Sequence, residues 1–358
     1  MKKVAQKTVK SKSLAVVEGD VVYVGLDVHK KSIHAAVWMN GNVRRHWVMP
    51  ADGRLVLRKL EPLRPALKEV VYEAGPTGYG LARLLRGAGV PVSVVAPSKT
   101  PRQSDESAKS DRLDCIALAE YSAARLLRAV AVPSEQEEAD RQVLRLRDQV
   151  MRKLRRVKQQ IKSLLLQYGM AEPAGLKHWS RSGVAELGKL SLCDELRFCL
   201  DELLAELGEL GARLARVNKR IEVLAGEDRH AGAVAVLQSA PGVGPITAMT
   251  FRTELHQARE FHDGGEVARY FGLAPRVRQS GGTRRDGPIS KTGRGHVRAI
   301  LVQAAWQWIR QDARAKSVYN RLVGNTGLPQ KAIVGMARRL AICLWRMMVT
   351  GELYRQAA

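Results

Sequence analysis

The chain has 358 residues, 45% of them apolar, and sets 59 Lys and Arg against 35 Asp and Glu, for a formal net charge of +24. The apolar share excludes wholesale disorder, and the length allows two or three domains with cores of their own. The excess of base points to a polyanionic partner, because each Lys or Arg placed on a phosphate releases condensed counterions. No apolar run reaches the roughly 18 residues of a spanning helix, so a cytoplasmic protein with no membrane partner is expected.

Residues 1–19 open MKKVAQKTVKSKS and read as a basic flexible arm, with no apolar signal core behind the charges. VVYVGLDVH (21–29) and KSIHAAVWM (31–39) read as strands, and Asn40-Gly41 as the hairpin turn leading to a third, VRRHWVM (43–49). A helix pattern around 55–63 precedes the strand KEVVYEA (68–74). The helix TGYGLARLLRGAG (77–89) is closed by glycine, the strand PVSVVAP (91–97) is ended by proline, and a further helix begins near Asp111. The resulting β-β-β-α-β-α-β-α order is that of the α/β ribonuclease H-like (RuvC-like) fold, expected here over 20–133. Sugar kinases and actin-type ATPases share that core but need two halves with glycine-rich phosphate loops, and this chain offers one half.

From 134 to 228 the pattern turns to long charged helices. Val150, Leu154, Val157, Ile161, Leu164 and Tyr168 form a heptad seam, and a second runs from Leu196 through Leu203 and Leu210 to Leu224. That periodicity predicts coiled-coil packing, within one chain or between subunits. Arg152, Lys153, Arg155, Arg156, Lys158 and Lys162 surround the first seam as candidate nucleic-acid contacts. Residues 229–358 read as a mainly helical domain with a Gly- and Arg-rich stretch at 272–298. The four cysteines, Cys115, Cys193, Cys199 and Cys343, show no C-x-x-C pair and are expected to be buried free thiols.

Two groups of residues carry chemistry. Asp27 and Glu73 fall at the ends of the first and fourth strands, and Asp111 and Asp114, just under one helical turn apart, open the helix able to pack over the same edge. Four converging carboxylates repel unless cations neutralise them. Oxygen ligands suit Mg²⁺, and two such ions can steady the attacking and leaving oxygens of a phosphoryl transfer. Taken singly, each acid reads as a turn or cap residue, and His29 and His34 read as packing or surface residues. In the last domain, Pro-Gly-Val-Gly in LQSAPGVGPITAMT (237–250) resembles a helix-hairpin-helix turn, in which Gly242 and Gly244 would let backbone N–H groups approach a phosphate. Ser280 precedes two glycines and is surrounded by Arg276, Arg278, Arg284, Arg285, Lys291, Arg294 and Arg298. On composition alone it is a loop serine.

The segments GLDVHK, VYEAGPTG, SDRLDCIALAEY and GLAPRVRQSGG followed by ISKTG and an arginine resemble the insertion-sequence 110 family of DEDD transposases, the bridge-RNA-guided recombinases. The likeness spans nearly the whole chain in order. It implies a RuvC-like nuclease domain, a coiled-coil linker and a C-terminal transposase domain, with the acidic set on Asp27, Glu73, Asp111 and Asp114 and a nucleophilic serine at Ser280. It also implies one composite site, double-stranded DNA at element ends and target, a structured noncoding guide RNA, a homo-oligomer, and action at the nucleoid. The chain departs from the family pattern in its basic arm and long middle region. The expectation is therefore a Mg²⁺-dependent DNA recombinase that excises and inserts its own mobile element. The rival enzyme is a junction-resolving nuclease that uses water and no serine. The rival without catalysis is a nucleic-acid-binding scaffold whose acids only cap and turn.

Overall fold

The computed structural model describes residues 16–97, 100–101, 111–280 and 283–355, and for 277–280 and 283–286 the backbone alone. Most of the basic arm, residues 1–15, lies outside the described residues, as do Gly281 and Gly282. Contacts divide the chain into two units, Met1–Pro133 and Ser134–Ala358.

The first unit is built on a six-stranded sheet. Strands β1 (Val22–Val28), β2 (Ser32–Met39), β3 (Asn42–Pro50), β4 (Leu67–Glu73), β5 (Val92–Val95) and β6 (Ala129–Val130) lie in the order β3-β2-β1-β4-β5-β6. The first three are antiparallel, β4 and β5 run parallel to β1, and β6 adds an antiparallel edge. This is the ribonuclease H-like order expected from the sequence, with the two-residue β6 as an unforeseen addition. Asn40 and Gly41 turn the β2–β3 hairpin with φ of 49° and 83°, the paired positive values of the Asn-Gly turn.

The helices of this unit are α1 (Gly53–Leu60), α2 (Gly80–Gly87) and α3 (Asp111–Ala123). Alternation along the strands sorts them between the faces. Val22, Val24, Leu26, Val70, Tyr72 and Val94 share a core with Val56 and Leu60 of α1 and Leu85 of α2. Their neighbours on the other face, Val71 and Val95, pack with Leu118 of α3. Gly25 lies on that second face directly beneath α3. A Cβ there would meet the Cys115 carbonyl oxygen at 2.0 Å and the Ala119 nitrogen at 2.6 Å. The glycine of GLDVH is a notch that seats the helix.

The second unit contains helices α4 (Glu135–Gln167), α5 (Arg181–Gly188), α6 (Asp194–Ala225), α7 (Asp228–Gln238), α8 (Pro245–Glu254) and α9 (Gly264–Tyr270), the strands β7 (Pro275–Ser280) and β8 (Thr283–Ile289), and helices α10 (Gly295–Gln311), α11 (Ala313–Thr326) and α12 (Pro329–Thr350). A capping box starts α4: Ser134 Oγ accepts from the Glu137 amide while the Glu137 carboxylate accepts from the Ser134 amide. α4 and α6 pack antiparallel, so that Arg147 near the start of one donates to Asn218 near the end of the other at 2.8 Å. Val150, Val157 and Ile161 share one core with Leu200, Leu207 and Leu210. The seam therefore closes within the chain.

A larger core joins the end of α6 to α7–α12, centred on Phe251, Leu301, Met336, Leu340 and Leu344. The four cysteines are free; Cys115 is buried, but Cys193 and Cys199 are exposed at and near the start of α6, against the expected burial. Within the stretch 272–298, read from the sequence only as Gly- and Arg-rich, β7 and β8 form an antiparallel hairpin. PRVRQS and TRRDGPI alternate, but with so few apolar residues that the period of two carries little hydrophobic signal.

Candidate active site

The acids converge because strand and helix advance in step. α3 seats Cys115 over Gly25. Two residues along β1 from Gly25 stands Asp27, about 6.6 Å away, and four residues back along α3 from Cys115 stands Asp111, about 6 Å away. Both carboxylates reach His29, whose Nε2 lies 2.9 Å from Asp27 Oδ2 and 3.5 Å from Asp111 Oδ2. Ligand atoms of Asp27, His29 and Asp111 all lie within 4.8 Å of one another. Asp27 is mostly covered, with a side chain 21% exposed, whereas that of Asp111 is 53% exposed. The group is thus rooted in the fold and open to a substrate.

Glu73 follows from the strand register. Leu26 of β1 pairs with Tyr72 of β4, so the next residues on the two strands, Asp27 and Glu73, stand side by side on the α3 face. Glu73 Oε1 accepts a hydrogen bond from Thr100 Oγ1 at 2.7 Å. Asp114 is half-buried one turn into α3. The Cys115 thiol registers the anionic surroundings. Burial first, then the charge of Asp27 and more weakly that of Asp114, push it up to about 12, so it is no nucleophile at neutral pH.

His29 and His34, set aside in the sequence reading, both stand within 4 Å of a carboxylate of the site. Asp27 pairs with His34 across the β1–β2 hairpin, and His34 Nε2 lies 3.6 Å from Asp111 Oδ2. His46 continues the row, its ring centroid 5.7 Å from that of His34. Burial, then Arg112 and His34, hold His46 below the usual imidazole range. The signal was present in DVHKKSIH: a tight hairpin folds its second histidine back against the aspartate.

Ser280 is the last residue of β7 and pairs with Thr283 of β8. Its side chain, like those of Arg278, Arg284 and Arg285, lies outside the described ones. The base of this hairpin is fixed by close backbone packing. Gly272, at φ 66°, lies against Thr292, whose carbonyl oxygen a Cβ there would meet at 2.2 Å. Ser290 N donates to Ala274 O, Lys291 N to Gly272 O, and Arg298 Nη1 to the carbonyls of Thr292 and Phe271 at 2.7 and 3.1 Å. Arg276 Nη2 donates to Ser290 O at 3.3 Å. Arg276 and Arg298 therefore brace the hairpin.

The other basic candidates divide similarly. Arg152, Lys153, Arg155 and Arg156 are exposed on α4, although Arg152 pairs with Asp148 at 3.0 Å and Arg155 donates to the Met151 carbonyl. Lys162 pairs with Glu172 at 2.6 Å. Lys158 stands 5.0 Å over the Trp179 ring, and burial lowers its ammonium below the usual lysine range. Gly242 presses on α10, where a Cβ would meet Ala304 O at 2.8 Å, while Gly244 caps α8 with open space around it.

Asp27, His29 and Asp111, two carboxylates and an imidazole whose ligand atoms meet, form a donor set that suits a divalent cation, while Glu73 and Asp114 lie outside that group. A ribonuclease H-like sheet with that set at its strand ends defines an enzyme of phosphoryl transfer on nucleic acid. Comparison with known proteins gives the family. The profile described as Transposase IS116/IS110/IS902 family matches residues 234–320, and a DEDD transposase profile of IS110 matches residues 24–170. Transposase y4qE of Sinorhizobium fredii is 33% identical over 303 residues, covering 82% of this chain and 73% of the relative. The transposase for insertion sequence element IS1533 of Leptospira borgpetersenii is 27% identical over 90% of this chain and 94% of its own. That for IS1111A of Coxiella burnetii is 25% identical over 81% and 80%. The chain belongs to the IS116/IS110/IS902 family of transposases, and it is an enzyme of DNA transposition. Among the described residues no helix is long and apolar enough to cross a membrane.

Proposed function

We propose that this transposase works as a serine recombinase, in which Ser280 attacks a DNA phosphodiester while Asp27, Glu73, Asp111 and Asp114 hold Mg²⁺. The observation that carries the reading is the meeting of Asp27 and Asp111 at one point, from a strand and a helix far apart in sequence. Bound there, Mg²⁺ supplies Lewis acidity toward phosphate oxygens. Asp27 and Glu73, on adjacent strands, would hold it together with Asp111 on the exposed rim. His29 supplies a further ligand or hydrogen-bonds the carboxylates in its place. In the second unit the braced hairpin presents Ser280. Its hydroxyl loses a proton as the Ser280–phosphate ester forms and the strand's own P–O bond breaks, releasing a free hydroxyl on the other DNA end. The ester keeps the energy of the broken bond, so rejoining needs no external source. A structured noncoding RNA guides the choice of DNA, and the working form is a homo-oligomer.

The test uses the full chain with guide RNA, Mg²⁺ and a DNA substrate nicked so that rejoining is blocked. A covalent protein–DNA adduct that survives denaturant and maps to Ser280 is expected, and none with Ser280→Ala. Strand cleavage without an adduct, or an adduct on another residue, replaces the serine mechanism with hydrolysis or a different nucleophile.

A further inference from the structure

The face of the first sheet that carries Asp27 and Glu73 at one end carries a second set of polar residues at the other. Tyr23 and Glu69 are paired neighbours on β1 and β4, and Ser93 follows on β5. They border a cleft of about 710 Å³ together with Ser122, from the last turn of α3, and the basic residues Lys68, Arg86 and Arg125. The Glu69 carboxylate is held from both sides. Ser93 Oγ donates to Oε1 at 2.5 Å, and the buried Ser122 hydroxyl donates to Oε2. Each oxygen keeps a lone pair for one more donor, which makes Glu69 a two-point acceptor of fixed orientation.

Arg125 adds an independent observation. It takes φ of 57°, the left-handed conformation that commonly closes a helix and is normally filled by glycine. A non-glycine residue there strains the backbone, and its side chain is an arginine on the cleft. The pocket therefore combines a two-point acceptor with three cations. A simple anion is repelled by Glu69, and a simple cation by the three bases. A nucleotide satisfies both, with donors on its base edge and a phosphate beyond. Of the bases, guanine offers two parallel N–H donors, at N1 and N2, to a carboxylate. The Tyr23 ring beside Glu69 provides a surface for stacking.

We propose that this cleft is a binding site for an unpaired guanine nucleotide, with the base edge on Glu69 and the phosphate among Lys68, Arg86 and Arg125. It reads one base of the nucleic-acid partner at the end of the sheet away from the acids. The proposal rests on the chain handling nucleic acid and is independent of Ser280, and its test involves no recombination, so the two readings fail separately.

The test is titration calorimetry on the full chain with guanosine, adenosine and cytidine 5′-monophosphates. Guanosine monophosphate should bind about tenfold tighter than the other two, the discrimination a two-point base contact provides. Glu69→Gln should abolish that preference, since an amide offers only one acceptor. Arg125→Gly should weaken guanosine monophosphate about fivefold while raising the thermal midpoint, because glycine relieves the strained φ; a purely structural arginine would not move those two readings in opposite directions. Ribo- and deoxyribo-oligonucleotides with one unpaired guanine then tell RNA from DNA as the source. Equal affinity for the three nucleotides, no binding at millimolar concentration, a preference surviving Glu69→Gln, or wild-type binding by Arg125→Gly would overturn the proposal.

Discussion

Gly25 and Asp27 are two residues apart and play opposite parts, one admitting α3 and the other using what α3 brings. Gly25→Ala places a methyl 2.0 Å from a backbone carbonyl, a clash that no side-chain rotation relieves. We expect it to cost about 2–4 kcal/mol of stability, at the upper end of overpacking, and to abolish transposition by displacing Asp111. Asp27→Asn should abolish transposition equally while leaving chemical denaturation unchanged or slightly shifted toward stability, since it removes one of the clustered like charges. If denaturation and activity assays give both variants the same profile, the separation of docking from chemistry is wrong. Asp27, Asp111 and their shared sheet edge were legible in the sequence because strand order and helical spacing fix them. The histidines were legible only through hairpin register, since DVHKKSIH sets the second against the aspartate once the β1–β2 pairing is known.

Among the elements, the long helix α4 does more than present a basic face. Arg141 Nε donates to the Thr253 carbonyl at 2.9 Å, and Arg145 grips Glu254 at 3.1 and 3.4 Å, tying α4 to the end of α8. His296, which opens α10, approaches the same carboxylate at 3.4 Å. Burial would raise Glu254, but His296 and Arg145 overcome it and hold the carboxyl at about 2. A depressed carboxylate contributes stability in full above its ordinary value near 4.5, and loses it as pH falls toward 2. Burial, aided by Arg141, also keeps His256 neutral down to about 4, and its contribution is lost between pH 6.5 and 4. Both signs agree. The thermal midpoint of the full chain should fall steadily from pH 6.5 downward, with His256→Gln flattening the upper part of the slope and Glu254→Gln the lower part. A midpoint level from pH 6.5 to 3 would remove this network from the fold's stability.

The helices of this network were readable from their apolar periods, but its contacts join residues 42 to 112 positions apart and leave no local pattern. The β7–β8 hairpin was hidden for a related reason. Its strands pair through backbone bonds, its residues are mostly polar, and its anchoring depends on Gly272 meeting Thr292, a tertiary contact.

For the molecule as a whole, the charge of +24 sets the scale of nucleic-acid binding. Affinity for duplex DNA should fall linearly on a log–log plot against salt, by roughly 0.9 per phosphate neutralised. Lys153 and Arg156 are exposed on α4, and replacing each with alanine should lower that slope by about one, whereas Lys162→Ala, which removes a lysine paired with Glu172, should change it less. Filter binding across a salt series measures all three, and equal slopes would show that α4 does not face DNA. The α4–α6 seam bears on assembly. Since Leu207 and Leu210 are buried in the chain's own core, Leu210→Asp should lower helicity and the thermal midpoint, as circular dichroism would show. A change in oligomeric mass alone, with the midpoint intact, would instead place the residue at an interface between copies.

The notch at Gly25 also imposes an order on synthesis. A ribosome delivers β1 and its aspartate early, but the partner carboxylate arrives only with α3, and the hairpin bearing Ser280 long after that. Until Cys115 is seated over Gly25, the nascent chain has no meeting of Asp27 with Asp111. A truncated product ending before residue 111 likewise lacks the carboxylate of α3 that meets Asp27. The meeting of the two carboxylates is thereby tied to the making and docking of α3.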